Sequence, residues 1–297
     1  MKHTLKVTIL LVGIFLITQI IGLAITNRYI DHEKIIETGK VEFKQLPYNL
    51  ERPEVEESTS FIWIIAAVLI GTAIFLILIK YKVFKLWKFW FFLAVWITLG
   101  IALSAFMPQA IAALAALIAT LAKIYRPNII TQNLTEIFVY GGLAAIFVPI
   151  VNIFAAFMLL ILISIYDIIA VLKTRHMIKL AKFQAKSKIF AGLLVPYKKL
   201  PKEDIPKGNL TPTKGRIAVL GGGDIGFPLI FAGVVMKDLM LTNPEIIGFL
   251  KSLVIPFFTT IALLFLLIKG KKDKFYPAMP YLSIGCFVGF FVIWLFF

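Results

Sequence analysis

Apolar runs of bilayer length recur along this 297-residue chain, and they constrain its fold more than any other feature. A helix rises 1.5 Å per residue, so about 20 apolar residues cross a hydrocarbon core of about 30 Å. Such runs cover 5–26, 61–79, 89–107, 109–124, 134–149, 150–172, 216–236, 249–268 and 276–297. The 109–124 run is short and alanine-rich, and only Pro149 and Asn152 mark the join between the fifth and sixth runs. Backbone polar groups find no water in lipid, so each run is expected to be helical. The 5–26 run has no small-x-small cleavage site before a soluble domain, and we read it as a retained span rather than a signal peptide. The expected fold class is therefore all-α, a polytopic membrane protein with nine transmembrane helices. A hydrophobic content of 60%, a charged content of 16% and a mean hydropathy of +0.92 exclude a water-soluble globule.

The net charge of +15 does not indicate nucleic acid as a partner, because the lysines cluster in short segments between apolar runs. With the amino terminus cytoplasmic, Lys80, Lys82, Lys85, Lys88, Lys123, Arg126, the 173–215 segment and 269–274 all fall inside. The acidic 27–60 loop, with Asp31, Glu33, Glu37, Glu42, Glu51, Glu54, Glu56 and Glu57, then falls outside, as does the carboxyl terminus. The chain divides into 1–172 with spans one to six, a basic cytoplasmic loop at 173–215, and 216–297 with spans seven to nine. The single cysteine, Cys286, allows no disulfide within the chain and reads as a small buried hydrophobe.

Two carboxylates break the apolar pattern: Asp167 in FMLLILISIYDIIAVL and Asp224 in RIAVLGGGDIGFPLIFAGVVM. A charge at the bilayer centre costs roughly 2.5–3.5 kcal/mol on insertion scales, so such groups usually serve chemistry or transport. Asp167 lies roughly 9 Å, and Asp224 roughly 12 Å, from the cytoplasmic ends of their spans. These spans are antiparallel and consecutive, so the two groups share a depth. The Tyr276-Pro277-Ala278-Met279-Pro280-Tyr281 segment enters from the same side.

At these residues the chain resembles the presenilin and signal peptide peptidase family of intramembrane aspartyl proteases. Tyr166-Asp167 matches the Tyr-Asp motif of span six, and Gly221-Gly222-Gly223-Asp224 matches Gly-x-Gly-Asp of span seven. Pro277-Ala278-Met279 matches Pro-Ala-Leu at span nine, with Met279 in place of leucine. The resemblance implies Asp167 and Asp224 as catalytic residues, and Tyr166, Gly221, Gly222, Gly223, Pro277, Ala278 and Met279 near substrate. It also implies membrane-spanning protein substrates and no cofactor or metal. The cytoplasmic amino terminus matches the presenilin orientation, and with it substrates whose amino terminus lies outside. In presenilins the loop corresponding to 173–215 is cut by the enzyme itself; in signal peptide peptidases it stays intact.

The residues support this chemistry by themselves. Two neighbouring carboxyls in a low-dielectric site cannot both ionise, so one keeps a proton and the pair titrates as a unit. The ionised member can take a proton from water while the other donates to the scissile carbonyl; which aspartate does which is open. Three successive glycines weaken the helix before Asp224, and backbone without side chains admits another backbone. A helical substrate must unwind to be cut, and pairing as an added strand, with the region before Gly221 or the Pro277 segment, would satisfy its exposed groups. Close helix packing is the competing reading for the glycines, and helix initiation for Pro277 and Pro280.

Other features have plainer readings. Tyr166 suits packing as well as a role near the dyad. Glu136, three residues after Asn133, has capping-box spacing. His3, His32 and His176 lie outside the apolar runs, and HExxH is absent, which excludes Ser-His and zinc intramembrane proteases. Asn133 and Asn209 head sequons on the cytoplasmic side. The 173–194 stretch mixes lysines with Ile178, Phe183, Ile189 and Phe190 as a helix on an anionic membrane surface would. Two other functions use the same carboxylates: a proton- or cation-coupled transporter or channel, and a prepilin-type peptidase, which shares Gly-x-Gly-Asp but not the span nine motif. The lipid bilayer is a partner in every case, and a homo-oligomer is compatible with the sequence.

Overall fold

The computed structural model describes residues 4–81, 83–174, 190–197, 217–270 and 276–296. The helices are α1 (Leu5–Tyr29), α2 (His32–Thr38), α3 (Ser60–Tyr81), α4 (Phe84–Ser104), α5 (Gln109–Tyr125), α6 (Ile129–Phe147) and α7 (Ile153–Ile168). After strands β1 (Gly192–Pro196) and β2 (Ile217–Gly221) come α8 (Gly222–Leu239), α9 (Glu245–Ser252), α10 (Val254–Lys269) and α11 (Met279–Phe296). Among the described residues, seven helical segments are long and apolar enough to cross a membrane. They are α1, α3, α4, α6 with its 3-10 extension to Ile150, α7 with its π-helical extension to Lys173, α9–α10, and α11. Helix α5 has 17 residues and falls short of that length, while α8 carries Asp224, Lys237 and Asp238.

The fold is mostly helical, and within it two expectations are corrected. Residues 217–221 are not the start of a helix: β1 and β2 pair antiparallel, Gly192 opposite Gly221 and Pro196 opposite Ile217. Ala218 and Leu220 of β2 alternate inward and are buried, a period-two pattern too short to register against a 20-residue hydropathy window, while residues 192–195 of β1 are buried on both faces. The surface helix expected over 173–194 gives way to strand at Gly192–Leu194; residues 175–189 lie outside the described residues.

The join between the fifth and sixth runs is a capped break. Pro149 sits in a 3-10 turn at Val148–Ile150, and the Asn152 side chain accepts the Ala155 N–H at 2.8 Å to start α7. One core joins both ends of the chain: α1 packs on α6, α8 and α10, and α11 packs on α7, α8 and α10. Phe157 of α7 stacks on Phe287 at 4.8 Å and meets Phe231 of α8 and Phe290 edge-on at 5.2 and 5.0 Å. Trp63, Ile70, Ile118 and Trp294 face outward, as lipid-exposed residues do.

Helices α10 and α11 touch through Gly285 and Gly289, a small-xxx-small pair. A Cβ on either would come within 2.8 Å of a backbone Cα, of Thr259 and of Ile255 respectively. Backbone cannot yield as a side-chain tip does, so Gly289→Leu is expected to push the helices apart and cost about 1–3 kcal/mol. A lowered melting temperature in detergent checks this; an unchanged one contradicts the packing.

Candidate active site

Helices α7, α8 and α11 pack against one another. Phe157 lies 10 residues from Asp167, Phe231 lies 7 from Asp224, and Phe287 lies 8 from Met279. The shared aromatic cluster is therefore roughly 10–15 Å along each helix from those residues. Asp167 is in the last turn of α7, only 8% exposed, just before a π-helical turn at Ile169–Lys173. Its carboxylate accepts the Met279 N–H at 3.1 Å, and the Ala278 N–H also donates to it. Asp167 thus caps the amino end of α11 from another helix, where free N–H groups and the helix dipole favour an acceptor. The Ala278 carbonyl accepts the Tyr281 and Leu282 N–H groups, both at 3.1 Å, so Pro277 precedes the helix and Pro280 lies in its first turn. One turn before Asp167, Ser164 hydrogen-bonds Ser283 of α11 at 2.8 Å.

Asp224 is the third residue of α8. Gly221 is both the last residue of β2 and the helix N-cap, with φ −68° and ψ 152°. An added Cβ on Gly221 would lie 3.3 Å from Asp224 Oδ2, so the carboxylate folds back over the end of the strand. Pro228 supplies no N–H to the Asp224 carbonyl one turn earlier. The next carbonyl, of Ile225, accepts Gln19 Nε2 from α1 at 2.9 Å.

The glycines divide by surroundings. A Cβ on Gly222 would meet the buried Tyr140 hydroxyl at 2.6 Å and its ring at 3.3 Å, whereas one on Gly223 meets only Phe227 at 3.7 Å. Gly223 is exposed. We expect Gly222→Ala to displace Tyr140 or the start of α8 and lower stability by about 1–3 kcal/mol. Gly223→Ala is expected to leave melting unchanged, so any activity it loses reports an approaching substrate; equal melting of the two variants would contradict this division.

Tyr166 points elsewhere than its neighbour: its hydroxyl hydrogen-bonds Thr72 of α3 at 3.0 Å. Glu136 is not a capping-box residue. The cap of α6 is Asn128, which accepts the Thr131 N–H at 2.7 Å, and Glu136 is buried about two turns further along. There its Oε1 accepts from Lys123 Nζ of α5 and from Gln132 Nε2. Asn133 is committed to β1 rather than to a sugar: it accepts the Leu194 N–H at 2.9 Å and donates to the Leu194 carbonyl at 2.8 Å. Gln19, Gln132, Asn133, Lys123 and Tyr140 were absent from the sequence-based site; polar side chains within apolar runs were the available signal. Among the described residues no group of three His, Cys, Asp or Glu side chains is placed to hold a metal ion. Cys286 is buried beside Thr259.

A family model described as signal-peptide peptidase, presenilin aspartyl protease matches residues 12–297. Two solved structures, of a presenilin family intramembrane aspartate protease in C222 and in P2 space groups, share the fold at 19% identity each. The first gives a TM-score of 0.61 over 96% of this chain and 97% of that one. The second gives 0.56 over 98% and 96%. No curated protein matches.

Proposed function

The chain belongs to the signal-peptide peptidase and presenilin aspartyl protease family, and from that premise we propose that it hydrolyses peptide bonds within membrane-spanning segments of other proteins. Asp167 and Asp224 are the catalytic pair. One observation carries the assignment: the Asp167 carboxylate is bonded to the backbone at Met279, which joins the Tyr-Asp and Pro-Ala-Met segments directly.

The ionised carboxyl removes a proton from water as the oxygen attacks the scissile carbonyl, and the protonated one donates to the carbonyl oxygen. The tetrahedral diol then collapses, the C–N bond breaks, and the departing nitrogen takes a proton from the pair. The two aspartates exchange protonation over a cycle, and no covalent intermediate forms. The substrate unwinds locally and pairs with β2. Leu220 and Ala218 face β1 in the ladder, so Ile217, Val219 and Gly221 present their backbone on the other edge, ending over Asp224. Gly223 and the segment Pro277, Ala278 and Met279 flank that path, while Tyr166 braces α7 against α3.

In the proposed topology α5 and α8 complete nine spans with the seven longer segments, the amino terminus is cytoplasmic and the carboxyl end external. The one-sided distribution of Lys and Arg supports it. The test is incubation of purified protein in liposomes with a tagged single-span substrate, with products located by mass spectrometry. Cuts inside the apolar segment support the reading. An inactive protein whose ion flux depends on the same aspartates overturns it in favour of a transporter.

A further inference from the structure

The outer edge of β1 is closed by side chains of α6. Asn133 takes both backbone groups of Leu194, and Gln132 Nε2 donates to the carbonyls of Phe190 and Gly192 at 2.9 and 3.0 Å. Residues 190, 192 and 194 share one edge of an extended chain, and β2 occupies the other. An asparagine amide presents C=O and N–H side by side, so Asn133 replaces one residue of a neighbouring strand. Gln132 is itself oriented. Its amide nitrogen also lies 3.1 Å from Glu136 Oε1, so its two hydrogens are shared among three acceptors, and because a carboxylate only accepts, the nitrogen must face that way. Lys123, buried with Glu136, supplies the compensating charge.

This arrangement fits one register. Sliding β1 by two residues one way would bring Pro196 to Asn133, and proline has no N–H to give. Sliding it the other way would bring Gly192, whose φ of +139° departs from a strand. Sliding by one residue would exchange the two faces of β1, taking Leu193 and Val195 off the face they share with Leu220 and Ala218. The register of β1 in turn fixes that of β2, through Gly192 opposite Gly221 and Leu194 opposite Val219.

We propose that Asn133 and Gln132, oriented by the Glu136–Lys123 pair, are positioning residues that set the register of the β1–β2 sheet and thereby which substrate peptide bond reaches Asp224. This inference rests on the protease reading above. None of the four residues touches the scissile bond; they act through two strands.

The experiment compares wild type, Asn133→Leu and Asn133→Asp in liposomes on one single-span substrate. It reads cleavage positions by mass spectrometry, kcat and KM separately, and amide exchange over 190–196. Asn133→Leu removes both bonds at similar size, while Asn133→Asp keeps the acceptor for the Leu194 N–H and loses the donor. The expected result is a dominant cut in wild type and added cuts displaced by two residues in Asn133→Leu. Leu194 exchange should be at least tenfold faster, with kcat lowered several-fold at nearly unchanged KM, and Asn133→Asp should fall between. Faster exchange with the wild-type cleavage pattern overturns the inference and leaves the protease reading standing. Wild type inactive on every single-span substrate overturns the protease reading itself. If Asn133→Leu fails to fold, Asn133→Asp decides: a wild-type pattern with its Leu194 carbonyl unpaired is the overturning result.

Discussion

Asp167→Asn and Asp224→Asn each abolish intramembrane cleavage and leave the protein folded: this is the expected outcome with the largest effect on activity. Asparagine has nearly the shape of aspartate, and its amide oxygen can still accept the Met279 N–H that Asp167 receives at 3.1 Å. Packing among α7, α8 and α11 therefore persists, and melting in detergent should match wild type. What disappears is the proton exchange. Loss of one member of an acid–base pair is expected to reduce kcat by about 10³-fold or more, in the upper part of the range for general acid–base catalysis. Because the two groups act as a unit, the double variant should be no worse than either single one. The wild-type profile of kcat/KM against pH should be bell-shaped, reporting two apparent values that belong to the pair. Appreciable cleavage by either variant would remove that aspartate from the reaction.

The largest effect on stability is expected at Glu136 and Lys123, whose side chains are each 2% exposed. Glu136→Leu strands the Lys123 ammonium beside the Phe91 ring, 5.5 Å from its centroid, with no carboxylate. Removing one partner of a buried pair costs about 3–5 kcal/mol, whereas replacing both with apolar residues is often near neutral. Thermal unfolding should show a large fall for Glu136→Leu and recovery of most of it in the double variant Lys123→Met/Glu136→Leu. Two additive losses would mean that the residues do not act as a pair. The double variant also releases Gln132 from Glu136, so its cleavage pattern should loosen even where its stability recovers.

The family was legible because its three motifs stand at fixed places in the order of the spans, and short motifs survive when overall identity does not. Helix positions were legible for a local reason: the free energy of placing a run in lipid is a sum over the residues of that run. Glu136 shows the limit. Its spacing from Asn133 suggested a capping box, a pattern that looks only three residues away, whereas its partner Lys123 is on the neighbouring helix. The strand at 217–221 was read as helix for a related reason. Ile217-Ala218-Val219-Leu220 is apolar in either conformation, and its choice depends on β1, more than 20 residues earlier.

By itself the sequence determined that the chain is a multi-pass membrane protein and that its apolar run breaks between Pro149 and Asn152, and it singled out two carboxylates within apolar runs, because burial in lipid acts residue by residue on each segment. The tertiary structure alone decided that Asp167 meets Met279, that Tyr140 needs Gly222 bare, and that Asn133 closes the edge of β1. Hydrogen bonds, close contacts and strand pairing join residues far apart in the chain, and their energies exist only once the helices have packed.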